Sequence, residues 1–467
     1  MGAGTGARGS DPWENMMQGV ETMNTGNDWD RDHIIHPLHP VGQNPRVAME
    51  KGHGVVLQDT EGKEYLDCRA QLACVNLGYG RQEIINAAVE QMNKLQYTTL
   101  FHGFTNPVAV ECAQRLSEVV PEGLAHFVFT SGGSESIESA FRIARLFWHY
   151  RSSPKHKIIS LYDSYHGLSL GAATATGMGK GAVWSGTGPT PSGFLHVPSY
   201  DCYHCMFGKE YPGCDIQCAR FLEETIVKEG PDSVAAFIAE PELGVGGMIP
   251  PPPEYWPRIR EICTRHNVLL IADEVMTGFG RTGKLFAVEN WGIRPDMLVM
   301  AKGITSAYLP FGAVAFSDDI FDSVKGTYML GFTYAGHPVC AAASIKCIEI
   351  YREEGIAENA AKVGKHVMDR LHAEFGLLPC VDNISGLGLM LGFNLVGDKA
   401  ARTPLAPEVS ADVESRALAG GVLVRCMNAA TAPGSRICFT PPLTMNIEEA
   451  DRALDILKPI VAGLRPG

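Results

Sequence analysis

Between His126 and Phe316 the sequence alternates short, almost wholly apolar runs with longer stretches whose apolar residues recur at helical spacing. The short runs lie at 126–130, 157–161, 234–239, 268–272, 297–301 and 312–316 and are rich in Val, Ile, Leu, Met and Phe. Strands that are apolar on both faces belong to a sheet covered on both sides, and strands separated by helices pair in parallel. After the first run, Ile137, Phe141, Ala144 and Trp148 share one helical face, and 256–266 is another such stretch. The pattern predicts an α/β fold with a mostly parallel central sheet covered by helices. Ligands of such sheets gather beyond the carboxyl ends of the strands. The residues that follow positions 130, 161, 239, 272 and 301 therefore carry the functional question.

The flanks differ. Residues 55–67 read as a hairpin turning at Glu61-Gly62, and a long helix runs from about 335 through Tyr351, with strand-like runs at 421–424 and 437–439. A chain of 467 residues exceeds one compact core. The expected division is a mobile tail at 1–28, rich in Gly, Asn, Thr and Ser, and a large domain at 75–335. A smaller α+β domain is expected from 29–74 together with 336–467. A net charge of −13 with no basic stripe argues against a nucleic-acid or membrane-surface partner. No apolar run approaches the roughly 18 residues that span a bilayer, and no signal pattern opens the chain, so a cytoplasmic protein is expected. Thirteen scattered cysteines do not form a secreted disulfide pattern. Cys202, Cys205, Cys214 and Cys218 make two close pairs, which suit either a zinc or iron–sulfur site or a surface loop of reduced thiols. No metal is assigned to the functional site.

Lys302 closes the 297–301 run. A lysine where a buried strand ends loses its proton through desolvation and becomes a nucleophilic amine. Asp273 closes the 268–272 run, where a carboxylate is placed to hold a protonated ring nitrogen. Amine plus carboxylate is what pyridoxal phosphate requires of a protein. Ser131-Gly132-Gly133-Ser134 joins a strand to a helix; its glycines admit an anion to the first-turn N–H groups and Ser134 adds a hydroxyl, a plain N-cap being the alternative. Tyr165-His166-Gly167 follows the 157–161 run with an aromatic ring suited to stacking or to core packing. Glu240-Pro241 sets a carboxylate at another strand end.

Three other patterns compete. Gly167-Leu168-Ser169-Leu170-Gly171 has the nucleophile-elbow form and follows a strand, which leaves a serine hydrolase built on Ser169 as a remote alternative. Residues 278–284 have phosphate-loop spacing, but Leu285 stands where Ser or Thr would bind magnesium. His33, His36 and His39 have metal-like spacing interrupted by prolines.

In this order and at these intervals the chain resembles the class III aminotransferases, which are fold type I pyridoxal-phosphate enzymes. The carrying motifs are Gly133-Ser134-Glu135, Tyr165-His166-Gly167, Asp273-Glu274-Val275, Ala301-Lys302-Gly303 and Phe332-Thr333-Tyr334-Ala335-Gly336-His337-Pro338. The resemblance covers about Asp32 to Leu464. It implies that Lys302 is the Schiff-base lysine that also shuttles the proton, and that Asp273 holds the pyridine nitrogen protonated. It further implies that Gly133 and Ser134 bind the phosphate, that Tyr165 and Val275 cover the two ring faces, and that His166 and Glu240 complete the cofactor site. Thr333 is implied to reach the phosphate of a neighbouring subunit, which makes the enzyme a homodimer, with pairing into tetramers left open.

Departures from the pattern bear on substrate. Ornithine-type members carry a second glutamate where this chain has Val245, and an arginine where it has Cys438. The 246–252 segment and Leu423-Val424-Arg425 are instead similar to the ω-amino-acid and amine:pyruvate branch. There an arginine at the Arg425 position binds the acceptor carboxylate or moves aside for an apolar amine; Arg436 competes for the role. Ala73 stands where that branch usually has Trp, and Phe101 is implied to line the same cavity. The implied reaction passes an amino group from an amine or ω-amino acid to pyruvate in a ping-pong cycle, giving alanine and an aldehyde or ketone. An aminomutase, racemase or decarboxylase on the same fold is the alternative.

Overall fold

The computed structural model describes residues 28–178, 189–329, 331–429 and 432–464, so the expected tail lies outside the described residues except for Asp28. β1 (Met49–His53), β2 (Val56–Asp59) and β3 (Glu64–Asp67) form an antiparallel meander. Gly62, at φ +84°, makes the β2–β3 turn that Glu61-Gly62 predicts.

Seven strands build the central sheet: β4 (His126–Thr130), β5 (Lys157–Leu161), β6 (Phe194–Val197), β7 (Val234–Ala239), β8 (Leu269–Asp273), β9 (Met297–Met300) and β10 (Gly312–Phe316). Their spatial order is β4-β10-β9-β8-β7-β5-β6, and only β10 runs against its neighbours. The mostly parallel α/β sheet is therefore the one the apolar runs predict. β6 had no sequence signal: it is a half-buried edge strand of four residues, with little apolar pattern to betray it. The helix Gly133–Tyr150 lays Ile137, Phe141, Ala144 and Trp148 on the sheet, each at most 3% exposed. Burial of such side chains stabilises the fold by about 1.5–3 kcal/mol each. Ser136 ties the start of this helix down, its Oγ lying 2.6 Å from Thr130 Oγ1 and donating to the Met300 carbonyl at 3.3 Å.

Beyond the helix Pro338–Glu353 come β11 (Val381–Leu387), β12 (Met390–Asp398), β13 (Thr403–Pro404), β14 (Val422–Leu423), β15 (Arg425–Ala429) and β16 (Ala432–Phe439). β14 pairs in parallel with β3, Val422 opposite Leu66, so early and late parts of the chain share one sheet. β11, β12, β16 and β15 make a further antiparallel sheet.

The competing patterns have structural explanations. Ser169 Oγ donates to Glu138 Oε1 at 2.8 Å, and the same oxygen accepts from the Gly171 and Ala172 amides. That serine therefore helps a glutamate cap the short helix Leu170–Ala175, and it has no histidine partner. Gly280 and Gly283, at φ +92° and +85°, press on Ala357 and Ala361 of the helix Ile356–Arg370, so the 278–284 glycines serve close packing. His36 meets Asp30 at 2.6 Å and His39 meets the Asn44 carbonyl at 2.9 Å, separate bonds that do not converge. Cys202 is exposed, Cys205, Cys214 and Cys218 are half-buried, and all are free thiols. Among the described residues no three His, Cys, Asp or Glu side chains group as metal ligands. Nor is any described helix long and apolar enough to cross a membrane.

Candidate active site

The carboxyl ends of β4, β5, β7, β8 and β9 converge on a cavity of about 420 Å³. Its wall includes Gly133, Ser134, Tyr165, His166, Glu240, Asp273, Val275 and Lys302, so the strand-end residues singled out in the sequence meet in one place.

β9 ends at Met300, Ala301 stays extended at φ −162°, and Lys302 turns into the left-handed region at φ +45°. Such a conformation costs an ordinary residue about 1 kcal/mol or more and gathers at functional sites. Burial lowers the pKa of the Lys302 amine, opposed by the acidic groups Cys74, Asp273 and Glu240. The neutral, nucleophilic form is thereby brought closer to physiological pH.

Asp273, the last residue of β8, is 3% exposed. Its Oδ1 accepts from the Val275 amide at 3.0 Å and its Oδ2 from His166 Nδ1 at 2.7 Å. The His166 amide donates to Thr176 Oγ1 at 2.9 Å, which fixes that backbone and so the ring. His166 Nε2 is buried with no partner among the described residues. Glu240 follows β7 and accepts from the Tyr165 amide at 2.9 Å and the Gly244 amide at 2.8 Å. Burial pushes its pKa up to about 7, opposed by His166 and reinforced by Asp273.

At the opposite side stands the first turn of the helix Gly133–Tyr150. Its N-cap, Gly132, supplies no side-chain acceptor to the first-turn amides. Gly167, at φ +122°, leaves room for Ser134: a Cβ there would lie 2.3 Å from Ser134 Oγ, which instead accepts from the Leu168 amide at 3.2 Å. Gly133 faces Val275 closely, an added Cβ lying 3.0 Å from Val275 Cγ1.

The profile of class III aminotransferases matches residues 39–461. The chain belongs to that family. It is similar to a putrescine–pyruvate aminotransferase of Pseudomonas aeruginosa, 35% identical over 92% of this chain and 94% of the relative. A diaminobutyrate–2-oxoglutarate transaminase of Halomonas elongata is 34% identical over 88% of this chain and 89% of that one. Among solved structures, a thermostable (S)-enantioselective omega-transaminase from Thermomicrobium roseum superposes with TM-score 0.88 at 38% identity, over 95% of this chain and 99% of that chain. The fold is thus that of fold type I transaminases, and this aminotransferase depends on pyridoxal phosphate.

The cavity of the aminotransferase fits that cofactor. A helix N-terminus without a side-chain cap is an anion site, since its N–H groups and dipole favour negative charge. Asp273, anchored at both oxygens, retains lone pairs toward the cavity wall it forms. Lys302 supplies the amine on the same wall.

The remaining candidates divide. Arg425 opens β15, half-buried and off the cavity wall, its side chain without a hydrogen bond among the described residues; burial lowers its pKa, and Arg69, Cys438, Glu414 and Tyr165 are its charged or ionisable neighbours. Arg436, fully buried, donates to the carbonyls of Gly247, Met248 and Asn383, to Asn394 Oδ1 and to Ser385 Oγ. Its guanidinium is consumed in holding loops together. Ala73 lies behind the cavity wall, in an apolar cluster with Met248, Met276, Met390 and Cys438 against which Val245 packs. Replacing Ala73 by Trp is expected to push Val245 and Met276 inward and to lower kcat/KM for bulky amines roughly 10–200-fold relative to small ones. A donor profile equal to wild type would contradict this placement.

Phe101 and Thr333 do not line this chain's own cavity. Phe101 is half-buried, and exposed Thr333 accepts from the Tyr97 hydroxyl at 2.6 Å through its carbonyl. Sequence reasoning missed Met276, Thr305 and the 307–311 stretch, which complete the wall. They contribute mainly shape, and no motif marks them.

Proposed function

We propose that this aminotransferase moves an amino group from an amine or ω-amino acid to pyruvate. The observation that carries the reading is the Arg425 guanidinium. The Arg425 side chain makes no hydrogen bond among the described residues, Arg436 is committed to the Gly247 and Met248 carbonyls, and Val245 stands on the cavity wall. One guanidinium matches one carboxylate bidentately. Pyruvate has one carboxylate and 2-oxoglutarate two, and Arg425, which lies off the cavity wall itself, is an arginine whose charge reaches both Tyr165 and Lys302. The pyruvate specificity named for the Pseudomonas relative supports the same acceptor.

Bound in the cavity, pyridoxal phosphate supplies an electron-withdrawing ring that takes up the electron pair left when a proton leaves the donor carbon. Lys302, with its amine poised toward the neutral form, takes that proton and later returns one. Asp273 keeps a cation at the ring nitrogen, and His166 holds Asp273 in orientation. Tyr165 and Val275 hold the ring plane, and Gly133 and Ser134 hold the phosphate. Glu240 fixes the Tyr165 and Gly244 backbones. Arg425 draws in the acceptor carboxylate. We further place Phe101 and Thr333 at a neighbouring subunit's cavity, since both lie off their own; this reading makes the working unit a homodimer.

A screen of amines against pyruvate and 2-oxoglutarate tests the acceptor, with alanine expected and glutamate as the contrary result. Arg425→Ala is expected to raise KM for pyruvate roughly 10–100-fold, the worth of a charged hydrogen-bonded contact, with KM for an apolar amine little changed. An equal rise for both substrates would remove Arg425 from acceptor binding.

A further inference from the structure

The turn carrying Lys302 rests on buried polar groups that none of the steps above uses. Gly303 has no room for a side chain: an added Cβ would lie 2.6 Å from Asn76 Nδ2 and 2.8 Å from Phe279 Cβ. The Gly303 carbonyl accepts from the Tyr351 hydroxyl at 2.7 Å. Asn76, 1% exposed, donates through Nδ2 to the Phe279 carbonyl at 3.1 Å and accepts at Oδ1 from Arg281 Nη2 at 2.8 Å. The Asn76 carbonyl accepts from the Leu443 amide at 2.7 Å. Arg281, fully buried, sends Nη1 to the Leu389 carbonyl at 3.1 Å and to the Pro441 carbonyl. A single guanidinium thus joins an early segment of the chain, the start of β12 and the segment after β16, directly beneath the lysine turn.

The cost of this arrangement argues for a use. Among the described residues none of its hydrogen-bond acceptors is a carboxylate, so the cation is buried among carbonyls and one amide oxygen. Burying a charge without a counter-ion is expensive, and a neutral side chain would pack there at less cost. What a guanidinium adds is a rigid fork able to hold several acceptors in fixed relation. The element so held is the turn that keeps φ +45° at Lys302, the reacting residue.

We propose that Asn76, Arg281 and Tyr351 are positioning residues that set where the Lys302 amine stands, by locking the 302–304 turn to the C-terminal segments around Leu389 and Pro441. The inference rests on the reading of Lys302 as the reacting amine. The groups that face this amine electrostatically are Asp273, Glu240, Cys74 and Arg425, with His166 bonded to Asp273. Arg281 is not among them, so it acts through place and not through charge.

The test uses cofactor-free enzyme. Lys302 is labelled with an amine-acylating reagent across pH and its modification followed by peptide mass spectrometry. Tyr351→Phe and Arg281→Met are expected to move the midpoint of that profile by about half a pH unit or more as the lysine leaves its desolvated position. Both are also expected to slow pyridoxal phosphate loading and to lower kcat for the amine more than they change KM. Profiles that overlay wild type, even with a lowered Tm, would overturn the proposal and leave these residues structural. Should Arg281→Met fail to fold, Tyr351→Phe, which removes one hydroxyl, decides the matter alone. Borohydride reduction of loaded wild type separates the two layers. Cofactor trapped on another lysine sinks the reading of Lys302 itself, whereas trapping on Lys302 with unmoved profiles sinks only the positioning role.

Discussion

Lys302→Ala is expected to lower turnover by at least about four orders of magnitude, since it removes both the nucleophile and the group that moves the proton. The fold should survive. The Lys302 side chain makes no hydrogen bond among the described residues, and its turn is held by Tyr351 on the Gly303 carbonyl and by Asn76 beneath it. Removing a left-handed lysine in favour of alanine leaves the backbone strain unchanged. Far-ultraviolet circular dichroism and Tm should therefore stay near wild type while the absorbance of lysine-linked cofactor disappears. A variant retaining even a hundredth of wild-type turnover would exclude Lys302 as the amine.

Asp273→Asn should cost about 10²–10⁴ in kcat, with cofactor still bound. The physical reason is specific. An amide cannot balance a positive ring nitrogen, so the ring loses electron-withdrawing power although its place is kept. The local structure tolerates the change. The Asn oxygen continues to accept from the Val275 amide, and its NH2 then faces His166 Nδ1. Because His166 Nε2 has no partner among the described residues, the imidazole can move its proton there and accept at Nδ1. The proton moved to Nε2 then lacks a partner among the described residues, so a loss of stability of about 1–3 kcal/mol, read as a lower Tm, is expected beside the loss of kcat. A loss of cofactor binding in place of a loss of kcat would assign Asp273 to retention instead of activation, and is read directly by equilibrium dialysis of the loaded variant.

What the sequence made legible follows from where its chemistry sits. Asp273, Lys302, Glu240 and Tyr165 stand at or just past the ends of apolar runs, and a parallel sheet must bring such ends together, so one pattern located both the fold and the site. Arg425 and Arg436 looked equivalent because both fall among late strands. The side-chain bonds tell them apart: Arg436 is locked to carbonyls, whereas the Arg425 side chain makes no hydrogen bond among the described residues. Ala73 was legible as a small residue near the site, but its position behind Val245 and Met276 depends on packing between distant segments. The Ser169 pattern misled because a cap made by Glu138, a residue on another helix, leaves no trace in local spacing. Thr333 finds no place at this chain's own cavity, and neither does Phe101, which the sequence reading had placed in the same cavity as Ala73.

The central claim is that this cavity runs a two-stage amino transfer between an amine and pyruvate, and a half-reaction followed by absorbance tests it most directly. Given an amine alone, loaded enzyme should convert its cofactor to pyridoxamine phosphate and release one equivalent of aldehyde or ketone. Pyruvate added next should restore the starting spectrum and yield one equivalent of alanine. A cofactor spectrum unchanged by every amine offered, as a racemase would give, or restored only by a dicarboxylic oxo acid, would contradict the account.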